Sequence, residues 1–255
     1  MKYCINLRNS DDMLELADEI FVDYRDRTAL YTKIEEFPSK TFIICITPEV
    51  SVDWTEIIGW SEVGKIIIAF KQLIPEEQIE MLRAHDIGFY FAEKINTFES
   101  LQIICQYKPC YIVLDAPLYF SLDKVKRVTD IPIRLFANAP ETNPLLPIST
   151  ITSPFILPQN IKDYEEYVDV LEFYSNSPKQ ESALLRTYRT GEYRGNLNVL
   201  MPNIGQNVDC RFLSTIGSHR TTCGHACMYN SCRACLNAAI ASLGLRETLD
   251  KIKKI

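Results

Sequence analysis

The chain has 255 residues, 47% of them hydrophobic and 24% charged, with a net charge of −6. That length and composition suit one large globular domain, or one domain with an appendage, and exclude a low-complexity chain. Residues Met1 to Arg8 carry no apolar signal-peptide core, and no run approaches the roughly 18–20 apolar residues that span a bilayer. A cytoplasmic protein with no membrane segment is expected. In a reducing compartment its nine cysteines point to metal ligation or catalysis rather than to disulfides.

Short, β-branched apolar runs recur along the first two-thirds. They are Tyr3–Asn6, Glu19–Tyr24, Thr41–Thr47, Lys65–Phe70, Ile87–Ala92, Cys110–Asp115, Ile131–Asn138, Pro154–Pro158 and Val168–Phe173. Runs of this length and composition predict strands buried on both faces. Stretches with helical spacing separate most of them, among them Pro75–Ala84, Thr97–Tyr107 and Ser121–Thr129. From the second run onward the period is roughly 22 residues, as repeated strand–helix units require. Alternation of this kind predicts parallel strands joined by right-handed crossovers. Nine candidate strands admit a closed eight-stranded barrel with one extra strand, or an open doubly wound sheet. The evenness of the units favours a (β/α) TIM-like barrel of short repeats. No G-x-G-x-x-G follows an early strand and no Walker motif occurs, so neither phosphate-binding fingerprint is present.

The pattern changes near residue 175. A polar, proline-containing turn leads into Glu181–Tyr193, which spaces Leu184, Leu185 and Tyr188 as a helix does, with Gly191 as its stop. Asn196–Ile204 reads as a short strand or turn, and Leu236–Ile255 as an amphipathic helix with a lysine-rich end. The barrel is therefore assigned to 1–178 and a basic, cysteine-rich appendage to 179–255. The appendage carries +6 and the barrel −12. Such a division suits either a tail docked on an acidic body or a contact with RNA or phosphate. For the second, Arg186, Arg189, Arg194 and Arg220 are the candidate cations, with Tyr188 and Tyr193 interleaved to stack on bases. The same group also fits one face of a helix packing on the barrel.

The densest chemistry lies at Cys223, Cys227, Cys232 and Cys235, in the pattern C-x3-C-x4-C-x2-C. The C-x2-C pair forms a knuckle whose two sulfurs point at one metal, and Cys223 and Cys227 share one face of a helical turn. Four thiolates make a closed tetrahedral site, which is structural rather than catalytic. Zn2+ is the expected metal, with a [4Fe-4S] cluster as the alternative. His219, His225 and Cys210 are nearby substitutes for one sulfur. Cys4, Cys45, Cys105 and Cys110 fall in apolar runs or on a helix and read as core.

Catalysis on a barrel gathers at the carboxyl ends of the strands. The polar residues there are Asn6, Asp23, Thr47, Lys71, Glu93, Asp115, Asn138, Gln159 and Glu172. Asp115 and Glu172 each end an apolar strand, where burial favours acid–base use. Arg134 interrupts an otherwise apolar strand, so it faces the lumen, either to clamp an anionic substrate or to pair with one of those carboxylates. There is no H-E-x-x-H and no G-x-S-x-G, and three histidines leave little for a histidine-ligated metal.

Strand–helix repeats, a strand ending in Glu172 and the later Arg220-Thr-Thr-Cys223-Gly-His-Ala-Cys227 together resemble the collagenase-like peptidase family. That family includes RNA-hydroxylation proteins, and its members bear iron–sulfur cysteines after a barrel. The resemblance implies an iron–sulfur enzyme that modifies RNA or another biopolymer. Ile131–Asn138, Pro154–Gln159, Val168–Phe173 and the terminal cysteines also look similar to uncharacterised phage-encoded proteins. From the residues themselves, the expectation is a metal-stabilised barrel with a binding or assembly role.

Overall fold

A computed structural model describes residues 1–115, 118–138, 155–175, 177–193 and 200. Among them eight strands alternate with eight α-helices. The strands are β1 (Lys2–Asn6), β2 (Glu19–Asp23), β3 (Thr41–Ile46), β4 (Lys65–Phe70), β5 (Gly88–Phe91), β6 (Ile112–Val113), β7 (Ile133–Phe136) and β8 (Val170–Glu172). The helices are α1 (Asp11–Leu16), α2 (Leu30–Glu36), α3 (Trp54–Val63), α4 (Glu76–Ala84), α5 (Phe98–Gln106), α6 (Leu122–Val128), α7 (Ile161–Tyr164) and α8 (Pro178–Thr190). All pairings are parallel, in the order 5-4-3-2-1-8-7-6. The two ends of that order meet through the bridges Tyr90↔Tyr111 and Ile95↔Leu114. The sheet thus comes round on itself, and the fold is an α/β TIM-like barrel.

Each strand buries both faces. Outward residues such as Ile20, Phe42, Ile44, Ile68, Ile133 and Leu171 pack against Leu14, Ile34, Ile57, Leu82, Leu101 and Val125 of the helices. Inward residues form a second cluster of Cys4, Ile43, Cys45, Ile67, Ala69, Tyr90, Tyr111, Val113 and Val170. Most of these are small, which leaves the lumen room for two tyrosines and, on the same face, Arg134. Burial on both faces is why the runs read as continuously apolar rather than alternating.

Several boundaries follow from local chemistry. Asp53 caps α3 by accepting from the Thr55 and Glu56 amides, and Thr97 caps α5 through Ser100. Ser177 caps α8 with Pro178 at its first turn, so this helix starts three residues before the expected Glu181. It ends at Gly191, in the left-handed conformation (φ 68°) that glycine adopts without a Cβ penalty.

The expected strand at Pro154–Pro158 is not one. Phe155, Ile156 and Leu157 are buried but run as irregular chain into a 3-10 turn at Pro158–Asn160. The Ile156 amide donates to the Ala137 carbonyl (2.9 Å) without a ladder forming. Their apolarity serves burial beneath α8, not a ladder. Leu184, Leu185 and Tyr188 of α8 belong to the main core. The barrel therefore takes in α8, and the expected boundary at 178/179 falls in its first turn. Cys210, the four clustered cysteines, His219, His225, Arg194, Arg220 and Leu236–Ile255 lie outside the described residues, as does Asn196–Ile204 apart from Leu200.

Candidate active site at the carboxyl end of the barrel

Arg134 enters the lumen because it holds an inward position on β7, opposite Val170 of β8. It is fully buried and so is Glu19, the first residue of β2; their side chains make a close, charge-assisted ion pair. Its other terminal nitrogen donates to Glu172 Oε2 at 3.1 Å. The guanidinium carbon lies 5.0 Å from the ring centres of both Tyr90 and Tyr111, within cation–π range. Tyr111 donates its hydroxyl to Glu19 Oε1 at 2.7 Å, and Lys2 Nζ stands 3.8 Å from the same oxygen. Burial, with Glu19 adding to it, drives the Tyr111 phenol upward, so it remains a donor.

This polar column runs along the barrel axis. Lys2 marks its amino-terminal end, and Glu172, on the last residue of β8, marks its carboxyl end. Glu172 sits in register with Cys4 of β1 and Phe136 of β7. Its side chain retains 16% exposure, whereas Arg134 and Glu19 retain none. That remaining exposure faces a cavity of about 240 Å³ lined also by Cys4, Asn6, Arg8, Phe21, Phe136, Tyr174 and Glu181. Burial raises the Glu172 carboxyl above the usual glutamate range, although Arg134 pulls in the opposite direction. Desolvation wins because Arg134 is shared with Glu19, which also repels charge on Glu172.

Glu181, in the first turn of α8, is the second carboxylate on the cavity. It accepts from the Asn6 amide (2.9 Å) and from Asn9 Nδ2 (2.7 Å). Burial raises this carboxyl as well, against those two hydrogen bonds. Asn9 is held in turn by Ser182 Oγ, which donates to its Oδ1 at 3.0 Å. The link joins the turn after β1 to the helix after β8.

Of the three candidate catalytic residues, Arg134 and Glu172 come together as an ion pair, the second of the two arrangements open to Arg134. Asp115 is placed elsewhere. It follows β6 with its amide on the Ile95 carbonyl and its carbonyl on the Tyr119 amide, and it does not line the cavity beside Glu172. Other strand-end residues have structural work. Asp23 is clasped by Arg25 through contacts of 2.9 and 2.6 Å, which hold its carboxyl down at about 2. Asn138 clamps the loop after β8, donating to the Tyr174 and Leu200 carbonyls and accepting from the Tyr174 amide. Gln159 lies in the 3-10 turn rather than at a strand end.

Glu19 and Glu181 are the residues of this cluster that sequence reasoning missed. Glu19 had a readable signal. It shares strand parity with Phe21 and Asp23 rather than with the outward Ile20 and Val22, so it had to meet a cation inside. Glu181 had none, because its partners are about 175 residues away in the chain.

The cysteine and arginine groups divide. Cys4 and Cys45 are buried as expected, and burial pushes both thiols up, Cys45 to about 11. Cys105 and Cys110 are only half-buried. Arg189 pairs with Asp18 (3.0 Å) and covers the Tyr3 ring at 5.1 Å, while Tyr188 is buried. These contacts dock α8 on the barrel and withdraw Tyr188 from any base-stacking role; Arg186 stays exposed. Among the described residues no group of His, Cys, Asp and Glu side chains is placed to hold a metal ion, and no helix is long and apolar enough to cross a membrane.

No protein-family model and no curated protein matches the chain. Among solved structures, tryptophan synthase of Mycobacterium tuberculosis is 12% identical, with a TM-score of 0.49 over 74% of this chain and 91% of that one. Phosphoribosyl anthranilate isomerase of Thermotoga maritima is 11% identical, with a TM-score of 0.46 over 75% and 98%. A glycerol uptake operon antiterminator-related protein from Thermotoga maritima gives 12% and 0.44 over 70% and 96%. At this distance each is a likeness of chain path, and nothing of ligand or reaction passes from them.

Proposed function

We propose that the barrel is an enzyme acting on a small polar molecule held in the cavity at its carboxyl end, with Glu172 as the group that takes and returns a proton. The observation that carries this reading is the division of Glu172 between two environments. One oxygen is held by a fully buried arginine, and the rest of the carboxyl faces the cavity. A carboxyl raised by burial is partly protonated nearer neutrality, where proton transfer in both directions is efficient. Arg134 and Glu19 are positioning residues in this scheme, since they hold Glu172 from below.

The cysteines Cys223, Cys227, Cys232 and Cys235 are proposed to hold one structural Zn2+ outside the barrel, because four thiolates at short spacing complete a tetrahedral shell. The metal then stabilises the tail and takes no part in the chemistry at Glu172. A [4Fe-4S] cluster at the same cysteines, in an RNA-modifying enzyme, is the competing reading.

The test is a carbon-detected NMR titration of the glutamate carboxyls, with Glu172→Gln to assign the resonance. Glu172 is expected to titrate above 4.5, and small polar fragments are expected to shift the signals of Phe21, Phe136 and Tyr174. A Glu172 midpoint at or below that value, or a fragment set that leaves those rings unmoved, rules the reading out.

A further inference from the structure

A base that takes a proton from an O–H or N–H group needs no second catalytic group, but one that takes it from carbon does. The electron pair left behind has to pass to an oxygen, and that oxygen needs a positive charge or a donor to hold it. Lys94 brings such a charge to the barrel mouth. It follows β5, yet its ammonium stands 5.1 Å from the ring centre of Phe136, the last residue of β7. In the ring of strands β6 lies between the two, so the side chain reaches across the mouth rather than out from the barrel. Phe136 packs on the lumen cluster, lines the cavity and is in register with Glu172. Lys94 is thus held at the edge of the cavity, near enough for its charge to act on Glu172.

Neighbouring cations are committed elsewhere. Arg8 pairs with Asp26 at 2.6 Å, Arg25 clasps Asp23, and Arg134 is shared between Glu19 and Glu172. Lys71 acts on Asp23 and Cys45 rather than on Glu172. Lys94 has neither an ion pair nor a side-chain hydrogen bond among the described residues, and it stays partly exposed. On the α8 flank stands Glu181, with both oxygens bonded, which gives an oxyanion nothing to meet. Negative charge forming on a ligand beside Glu172 is therefore drawn toward Lys94.

We infer that Lys94 is a second catalytic residue of this site, and that the substrate is a small carbonyl compound with a hydrogen on the carbon beside the carbonyl. The inference rests on the reading of Glu172 as the proton-transfer group. The step balances within these two residues and the ligand. The C–H bond breaks and its proton passes to the Glu172 carboxylate. The electron pair forms a C=C bond, and the carbonyl π pair moves onto oxygen, where the Lys94 ammonium holds it. Return of the proton to carbon restores the carbonyl, with no oxidant or co-reactant.

The experiment uses the full chain with hydroxyacetone and pyruvate in D2O, followed by proton NMR. Wild type is expected to exchange their α-hydrogens for deuterium faster than buffer does, and Glu172→Gln to lose that effect. Lys94→Met should slow exchange about a hundredfold, as the loss of one oxyanion-holding group does, with Lys94→Arg recovering part of it. Lys94→Met should also move the Glu172 carboxyl midpoint upward, which a merely structural residue would not do. Lys94 is partly exposed and outside any ion pair, so its replacement leaves the fold intact. Exchange by Lys94→Met within about twofold of wild type overturns the role of Lys94 and leaves Glu172 as the base. Exchange that survives Glu172→Gln overturns the reading of Glu172 itself. No exchange of either probe, while small polar fragments still shift Phe21 and Phe136, overturns the carbonyl class and leaves the cavity as a ligand site. No exchange together with unmoved rings overturns both.

Discussion

Arg134 satisfies two carboxylates and two tyrosine rings from a position with no access to water. Removing one member of such a group strands the others, because a buried charge without its partner keeps the full desolvation cost. Arg134→Ala should therefore destabilise the barrel by about 3–5 kcal/mol in urea unfolding. Replacing Arg134 and Glu19 together with methionine should cost less than the single change, since the fully buried Glu19 is no longer stranded and only Glu172, which keeps some exposure, is left without its cation. A mild effect of Arg134→Ala, near that of a surface substitution, contradicts this account. The two cavity carboxylates also make stability depend on pH. Both are raised by burial, so the folded chain binds more protons than the unfolded one above 4.5. Their stabilising contribution is complete below that pH and is lost as pH rises through their folded values. Glu181→Gln should flatten that decline above pH 4.5, and an unchanged slope of the urea midpoints with rising pH refutes it.

At the level of elements, α8 shows what the residue pattern revealed and what it hid. The spacing of Leu184, Leu185 and Tyr188 marked a helix with one buried face, and Gly191 marked its end. Missing was the surface it buries that face against, because Tyr188 donates to the Ile156 carbonyl (2.5 Å) and lies 3.3 Å from that of Ala137, contacts across 32 and 51 residues. Tyr188→Phe should cost about 1–2 kcal/mol by leaving a buried carbonyl short of a donor, measured by chemical unfolding. A variant as stable as wild type would show that another donor takes over the carbonyl. Phe155–Leu157 was misassigned for a related reason. Apolar, extended segments look alike whether they pair in a sheet or fill a gap beneath a helix, and only backbone partners separate the two. The seven earlier runs and Val168–Phe173 were legible because burial on both faces leaves no other composition open to them. Arg134 was legible as an inward cation for the same reason, and Glu19 was overlooked because it opens its strand, where a charge looks like an exposed end.

For the whole molecule, the open question is how a closed barrel and a basic, cysteine-rich tail share one chain. Residues 179–255 carry +6 against −12 for the rest, and α8, the part of them that packs on the barrel, shows the attraction at work in the Arg189–Asp18 pair. Elemental analysis of reduced protein should give about one zinc per chain, and chelation should loosen the tail before the barrel melts. Brown protein with visible absorbance after anaerobic purification would instead favour the iron–sulfur alternative, and the absence of both zinc and iron would remove the metal site altogether.

The circle of strands has one thin joint. Between β5 and β6 the ladders shrink to two isolated bridges, carried by amide bonds such as Cys110 to Phe89, Ile95 to Val113 and Asp115 to Ile95. The same joint is spanned from within by Arg134, whose guanidinium lies against Tyr90 on one side and Tyr111 on the other. Breathing of the barrel should start there, with the amides of Ile95, Cys110 and Asp115 exchanging with deuterium well before those of Ile43 and Ile44 on the long β2–β3–β4 ladders. Arg134→Ala should widen that gap, and equal protection around the ring would show that the joint is no weaker than the rest.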